Sequence, residues 1–153
     1  MKRSMIAAVS VLGVMAVWLY AEGRTAKADA ITLKPDDPAV VAQGAEVYAA
    51  TCASCHGSAL EGQPDWRSSN SDGRLPAPPH DASGHTWHHD SATLFTLTKL
   101  GVAEMIGDPS YQSDMPAYAD TLTDAKIIAV LSYIKSTWPQ DIRDSHDAME
   151  KQS

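Results

Sequence analysis

Three stretches of the chain place apolar residues three and four positions apart, which is the spacing of a helix with one buried face. The first begins after Asp37 and Pro38, residue types favoured at the N-cap and at the first helical position. The second follows Asp90 or Ser91 as its cap and ends at Gly101. These signals predict a helix in each stretch.

The third stretch is the clearest, because it has both a cap and a stop. Thr123 precedes it and Pro139 follows it, and its apolar face consists of Ile127, Val130, Leu131, Ile134 and Trp138. The polar tail, residues 140–153, is predicted to be a solvated, fraying helix. Because no pair of stretches has the pattern of strands, the fold is predicted to be all-α, with three main helices and long loops.

The segment 57–89 is rich in Gly, Pro, Ser and Asp and has no long periodic run. So long a stretch without an element is unusual in a compact domain. Apolar side chains for a core are also scarce, with only one Phe in the chain. We therefore expect the loops and helices to wrap around a large buried cofactor.

The N-terminus differs in kind from the rest of the chain. Residues 5–21 carry no charge and follow Lys2 and Arg3. A helix of that length spans about 25 Å, the lower limit for crossing a bilayer. Trp18 and Tyr20 at its end favour the membrane interface, so we favour an uncleaved anchor over a cleaved signal sequence. Positive charge before the run places the remainder outside the cytoplasm.

The chain is therefore divided into four parts. Residues 1–21 are the anchor or signal sequence, 22–37 a linker, 38–139 the domain, and 140–153 the polar tail. The formal net charge is -7. This balance argues against nucleic-acid binding, which requires basic side chains. It favours protein partners that present basic patches.

The segment TCASCHG, residues 51–57, contains both cysteines of the chain. A redox dithiol of the thioredoxin type requires a preceding strand, and here a helix is predicted. A zinc site requires four ligands, and the chain has no second cysteine pair. The remaining interpretation is covalent haem attachment, for which C-x-x-C-H is a signature. Two thiols on one helical turn would add to the vinyl groups, and His56 would face the iron.

On these residues the chain resembles the monohaem class I c-type cytochromes over residues 38–138. In that family a glycine, an aromatic residue and the first cysteine follow one another at intervals of four, as do Gly44, Tyr48 and Cys52. An apolar residue and an aromatic residue in the last helix cross the first helix at that glycine, and Val130 and Tyr133 match. The resemblance implies the class I cytochrome c fold around one haem c, attached through Cys52 and Cys55.

The resemblance also implies the iron ligands. His56 is the first, and Met115, which lies in a loop before the last helix and precedes Pro116, is the second. The lesser methionine candidate is Met105. The loop also contains four histidines: His80, His85, His88 and His89. One of them could replace Met115 as the iron ligand, or together they could form a copper site.

His56 also needs an acceptor for its other ring nitrogen, which fixes the tautomer. The family uses the carbonyl group of a proline that follows the attachment site. Pro76, Pro78 and Pro79 are available, and we favour Pro78 or Pro79.

These expectations describe an electron carrier rather than an enzyme, serving redox partners on the periplasmic side. It would be anchored to the inner membrane by residues 5–21, or soluble if that segment is cleaved. The alternatives are a haem-based sensor or small peroxidase with an open or His-ligated sixth site, and a copper-binding accessory protein using the His-rich loop.

Overall fold

The computed structural model describes residues 31–152, among which no strand occurs. Six α-helices and one 3₁₀ helix follow in order: α1 Pro38–Thr51, α2 Ala53–His56, the 3₁₀ helix Thr86–His88, α3 Ser91–Leu100, α4 Val102–Ile106, α5 Asp124–Ser136 and α6 Gln140–Glu150. The predicted all-α class is confirmed, and the three predicted helices are α1, α3 and α5. The candidate anchor lies outside the described residues. Between residues 31 and 152, no helix has both the length and the hydropathy to cross a bilayer.

The three main helices begin where the sequence predicts. Asp37, Asp90 and Thr123 each accept a hydrogen bond from backbone N–H groups in the first turn of α1, α3 and α5, respectively. A helix leaves these N–H groups without an internal partner, so each cap stabilises its helix start.

Helices α1 and α5 form the principal helix pair, and they cross at Gly44. A Cβ atom at this position would overlap the carbonyl oxygen of Ala129 and lie 2.7 Å from Tyr133 Cβ. Glycine is required here by close approach of the two backbones. The crossing uses Ala129 and Tyr133, one turn apart, whereas Val130 lines the cavity described below.

The core lies between α1, α3 and α5. Its buried apolar side chains are Val47, Tyr48, Leu60, Leu94, Phe95, Leu122, Ile127, Val130, Leu131, Ile134 and Trp138. Trp138, just after α5, also donates its Nε1–H to the carbonyl oxygen of His80 at 2.8 Å. The core therefore reaches into the loop that was predicted to need a cofactor.

Helix α6 differs from the solvated, fraying helix expected for the tail. His146 is 0 % exposed and Lys135 of α5 is 4 % exposed. Lys135 Nζ donates to His146 Nδ1 at 3.0 Å and forms an ion pair with Asp147. Glu150 accepts a hydrogen bond of 2.6 Å from the N–H of Ser91, at the start of α3. The apolar pattern missed this packing because the one fully buried residue of α6, His146, is polar.

Residues 31–37, assigned to the linker by the sequence, pack against the domain. Ile31 and Leu33 lie against the core. The N–H of Lys34 donates to Ser132 Oγ at 2.9 Å. This segment therefore covers part of α5.

The long loop 57–89 is held together by backbone hydrogen bonds. Gln63 N–H donates to the carbonyl of Ala77 at 2.8 Å, and the N–H of His80 donates to that of Leu60 at 2.8 Å. Leu60 is buried in the core. The 3₁₀ helix is the only regular element of this loop. The loop is thus ordered by turns and forms one wall of the functional site.

Candidate functional site

The two cysteines lie at the junction of α1 and α2. The N–H of His56 donates to the carbonyl of Cys52 at 2.9 Å, so the motif makes one helical turn. Both thiols are free, with Cys52 half-buried and Cys55 exposed. Burial raises the pKa of the Cys52 thiol, against the opposing hydrogen bond of Thr51. A reactive redox cysteine has a lowered pKa, so this environment does not support the redox-dithiol alternative.

His56 is buried, and one of its two ring nitrogens forms a hydrogen bond. Nδ1 lies 2.9 Å from the carbonyl oxygen of Pro78, which identifies the acceptor among the candidate prolines. Because a carbonyl only accepts, Nδ1 carries the proton and Nε2 carries the lone pair of a neutral ring. Burial lowers the pKa of His56, while the bond to Pro78 acts in the opposite direction. The neutral ring therefore offers Nε2 to a metal.

Two tyrosines fix the attachment segment. Tyr48 donates its hydroxyl to the carbonyl of Gly57 at 2.8 Å, and Tyr118 donates to that of Thr51 at 3.1 Å. Burial raises the pKa of both phenols, so both remain donors at neutral pH. Tyr118 was not predicted from the sequence, although it lies only three residues after Met115.

A cavity of about 500 Å³ opens beside this segment. Cys52, Cys55, His56 and Met115 all line it, so the four predicted site residues border one space. Its walls include apolar side chains of α3 and α5, namely Leu94, Leu97, Val130, Leu131 and Ile134. The volume is within the roughly 300–1,000 Å³ typical of ligand pockets.

The residues around this cavity fit a haem. Two free thiols match covalent attachment, and a neutral imidazole nitrogen and a thioether sulfur match known axial ligands. The apolar walls match the faces of a porphyrin. A zinc site would instead require thiolates and histidines gathered around one point.

Met115 is half-buried in a loop before α5. Its N–H donates to Ser113 Oγ at 3.1 Å, and its neighbour Asp114 forms an ion pair with Arg74 of the long loop. Met105, on α4, is not among the residues that line this cavity. Of the two methionine candidates, Met115 is the one that borders the cavity with His56.

His80 lies against His56 itself. The two rings stack with centroids 4.0 Å apart and planes inclined by 21°. Nδ1 of His80 lies 2.8 Å from Thr86 Oγ1, and burial lowers the pKa of His80 to about 3. The ring is therefore neutral. Because it lies beside His56, it is not placed to bind a metal from the side opposite His56.

The remaining loop histidines stack on tryptophans or line the cavity. The ring of His85 stacks on Trp66 with centroids 5.2 Å apart, and that of His88 on Trp87 with centroids 3.7 Å apart. His85 and His89 line the cavity, whereas His88 does not. Over residues 31–152, no three His, Cys, Asp or Glu side chains are arranged to hold a metal ion. The copper alternative therefore has no supporting geometry in this part of the chain.

Comparison with known proteins identifies the domain. The family model for cytochrome c matches residues 41–138, which is more than half of the chain. No curated protein and no solved structure matches the chain significantly. The matched range contains the attachment segment, the long loop and Met115. The chain therefore belongs to the cytochrome c family, whose members carry covalently bound haem c and use it in electron transfer.

Proposed function

We propose that this chain is a monohaem electron carrier in which Cys52 and Cys55 hold the haem and His56 and Met115 bind its iron. The observation that carries the proposal is the lining of the cavity. Four donor side chains of the right chemistry border one apolar space, although Met115 is distant from the other three in sequence. Haem, when bound, supplies a centre that gains and loses one electron.

The side chains around the cavity have distinct roles in this proposal. The thiols of Cys52 and Cys55 form thioether bonds that make binding permanent. The carbonyl of Pro78 orients His56 and increases the basicity of Nε2. Met115 supplies a soft ligand, and His/Met ligation raises the reduction potential relative to His/His ligation. The apolar residues of α3 and α5 exclude water.

A carrier rather than an enzyme follows from this ligand set. If His56 and Met115 both bind the iron, no position would be left for a substrate. A sensor or peroxidase needs an open or weakly held position instead. The position of Met115 at the cavity supports the filled arrangement.

The partners are proposed from charge. The formal net charge is -7, so electrostatic attraction favours donors and acceptors with basic surfaces. Electron-transfer complexes are typically small and short-lived, burying less than about 1,200 Å². We expect binding to weaken as ionic strength rises.

The cellular location is proposed from the family and the N-terminal segment. Cytochrome c domains are typically extracytoplasmic. Lys2 and Arg3 before residues 5–21 support an anchor in the inner membrane with the domain on the periplasmic side. An anchor would raise the effective concentration of the domain near membrane-bound partners. If the segment is cleaved, the domain is soluble in the periplasm.

The test is the pair of variants Met115→Ala and Met105→Ala in the haem-loaded protein. Met115→Ala should retain covalent haem, lower the reduction potential and allow external ligands to bind the iron. Met105→Ala should leave all three unchanged, because Met105 does not line the cavity. An unchanged potential in Met115→Ala would reject methionine ligation and favour a histidine in its place.

A further inference from the structure

We infer that His80 is a positioning residue whose stacked ring fixes the plane of the His56 imidazole. The inference rests on the proposed function, in which His56 is an axial ligand. It assigns a role to one of the loop histidines that the ligand set does not use.

The hydrogen bond to Pro78 does not by itself fix the His56 ring. The terminal torsion of a histidine side chain is broad rather than confined to staggered wells. A carbonyl oxygen also accepts hydrogen bonds over a broad range of directions. The bond therefore holds Nδ1 near one point while the ring plane can still tilt about it.

A flat group parallel to the ring removes this remaining freedom. The ring of His80 provides that group, because its centroid lies 4.0 Å from that of His56 and the planes differ by 21°. A branched aliphatic side chain in this place would fill the space but would not define a plane.

His80 can act as a wall because three hydrogen bonds hold it. Its N–H donates to the carbonyl of Leu60 at 2.8 Å, and its own carbonyl accepts from Trp138 Nε1–H at 2.8 Å. Its ring Nδ1 lies 2.8 Å from the hydroxyl of the buried Thr86. Two parts of the loop and Trp138, just after α5, thus determine where the ring lies.

The other loop histidines do not share this environment. His85 stacks on Trp66 and His88 on Trp87, and His88 is exposed. His88→Ala is therefore a matched control, a histidine of the same loop that does not contact His56.

The experiment compares His80→Leu with His80→Phe in the full-length, haem-loaded protein. The paramagnetic shifts of the haem methyl groups in the ferric state report the plane of an axial imidazole. We expect His80→Leu to lose the wild-type shift pattern, because leucine fills the space without a flat ring. His80→Phe should retain the pattern, and His88→Ala should leave it unchanged. The melting temperature of each variant separates this effect from general destabilisation.

An unchanged shift pattern in His80→Leu would overturn the inference. If His80→Leu does not fold, Thr86→Val replaces it. That change removes only the hydroxyl that bonds Nδ1 of the His80 ring. A changed pattern in Thr86→Val together with a retained pattern in His80→Phe supports the inference, and an unchanged pattern in Thr86→Val overturns it. A wild-type protein without covalent haem would instead reject the proposed function.

Discussion

The two sides of helix α5 both border clusters of polar side chains, but the two clusters differ in what they contact. On the cavity side, the thiols of Cys52 and Cys55 form no disulfide, and Nε2 of the neutral His56 ring carries a lone pair beside an apolar cavity. At the C-terminal end, Lys135 is bonded to His146 and paired with Asp147. The donor groups that line the cavity are therefore available to a ligand, whereas the groups at the C-terminal end contact one another.

The cavity side therefore has room for an added group, whereas the C-terminal end is filled by side chains of the chain itself. On the cavity side, a space of about 500 Å³ lies between α3, α5 and the loops. The C-terminal end fills its own space, with His146 at 0 % exposure. We therefore expect the cavity side to respond to removal of the attachment thiols, and the C-terminal end to respond to protonation of His146.

The largest effect is expected from removal of the attachment thiols. The double variant Cys52→Ala and Cys55→Ala should lose all covalent haem, because no thioether bond can form. Haem staining of a denaturing gel measures this directly. Ser54→Ala, a substitution between the two cysteines, is the control and should stain normally. Staining that persists in the double variant would contradict the account.

The crossing that supports the cavity side should also be sensitive to a single methyl group. Gly44→Ala should lower the free energy of unfolding by about 2 kcal/mol, because the added Cβ overlaps the carbonyl of Ala129. Urea unfolding measures the change. Gln43→Ala, an exposed neighbour on α1, should change stability by less than about 0.5 kcal/mol. Equal effects in the two variants would show that the backbones are not in close contact.

The C-terminal region should be sensitive to acid. Burial, and then the charge of Lys135, lower the pKa of His146 below its ordinary value of 6.5, so the unfolded chain binds the proton first. Stability should therefore fall as the pH drops below about 6.5, by at most about 1.36 kcal/mol per pH unit for this one group. The loss should end once the pH is below the folded-state pKa.

The matched variant for this prediction is His146→Gln, which keeps an acceptor for Lys135 but does not titrate. The groups that face His146 are Lys135, Asp147, Glu150 and the backbone of His89. The difference in unfolding free energy between wild type and His146→Gln should become smaller as the pH falls. A constant difference from pH 7 to pH 5 would contradict the assignment. Titration of the His146 ring by NMR gives the pKa independently of the variant.

The smallest effect is expected from the exposed ion pair between Arg74 and Asp114. Their side chains are 36 % and 57 % exposed, respectively. Solvent-exposed pairs contribute about 0.2–1 kcal/mol, and salt screens them. Arg74→Gln should therefore reduce stability slightly at low ionic strength and less at high ionic strength. A large loss that is independent of salt would show that the pair is buried from solvent in solution.

The sequence predicted the three main helices and four donor residues, which are among those that border the cavity, because their signals are local. Cys52, Cys55 and His56 form one short motif, and Met115 precedes a proline before a well-capped helix. Asp37 and Thr123 mark helix starts by chemistry that acts within one turn. Such signals require no knowledge of the tertiary structure.

The remaining features depend on contacts between distant parts of the chain. The stack of His80 on His56 depends on the path of a loop that has almost no regular structure. The packing of α6 escaped the apolar pattern because Lys135 and His146 are polar groups that are buried only as a bonded pair. The choice of Ala129 at the helix crossing depends on helix rotation, which periodicity fixes only to within about a residue.

The central claim, a haem held between His56 and Met115, is tested most directly by the absorption spectrum of the purified ferric protein. The account predicts a low-spin spectrum with the weak far-red band of sulfur-to-iron charge transfer, and slow binding of cyanide. A high-spin spectrum with rapid cyanide binding would contradict it, because the position opposite His56 would then be open.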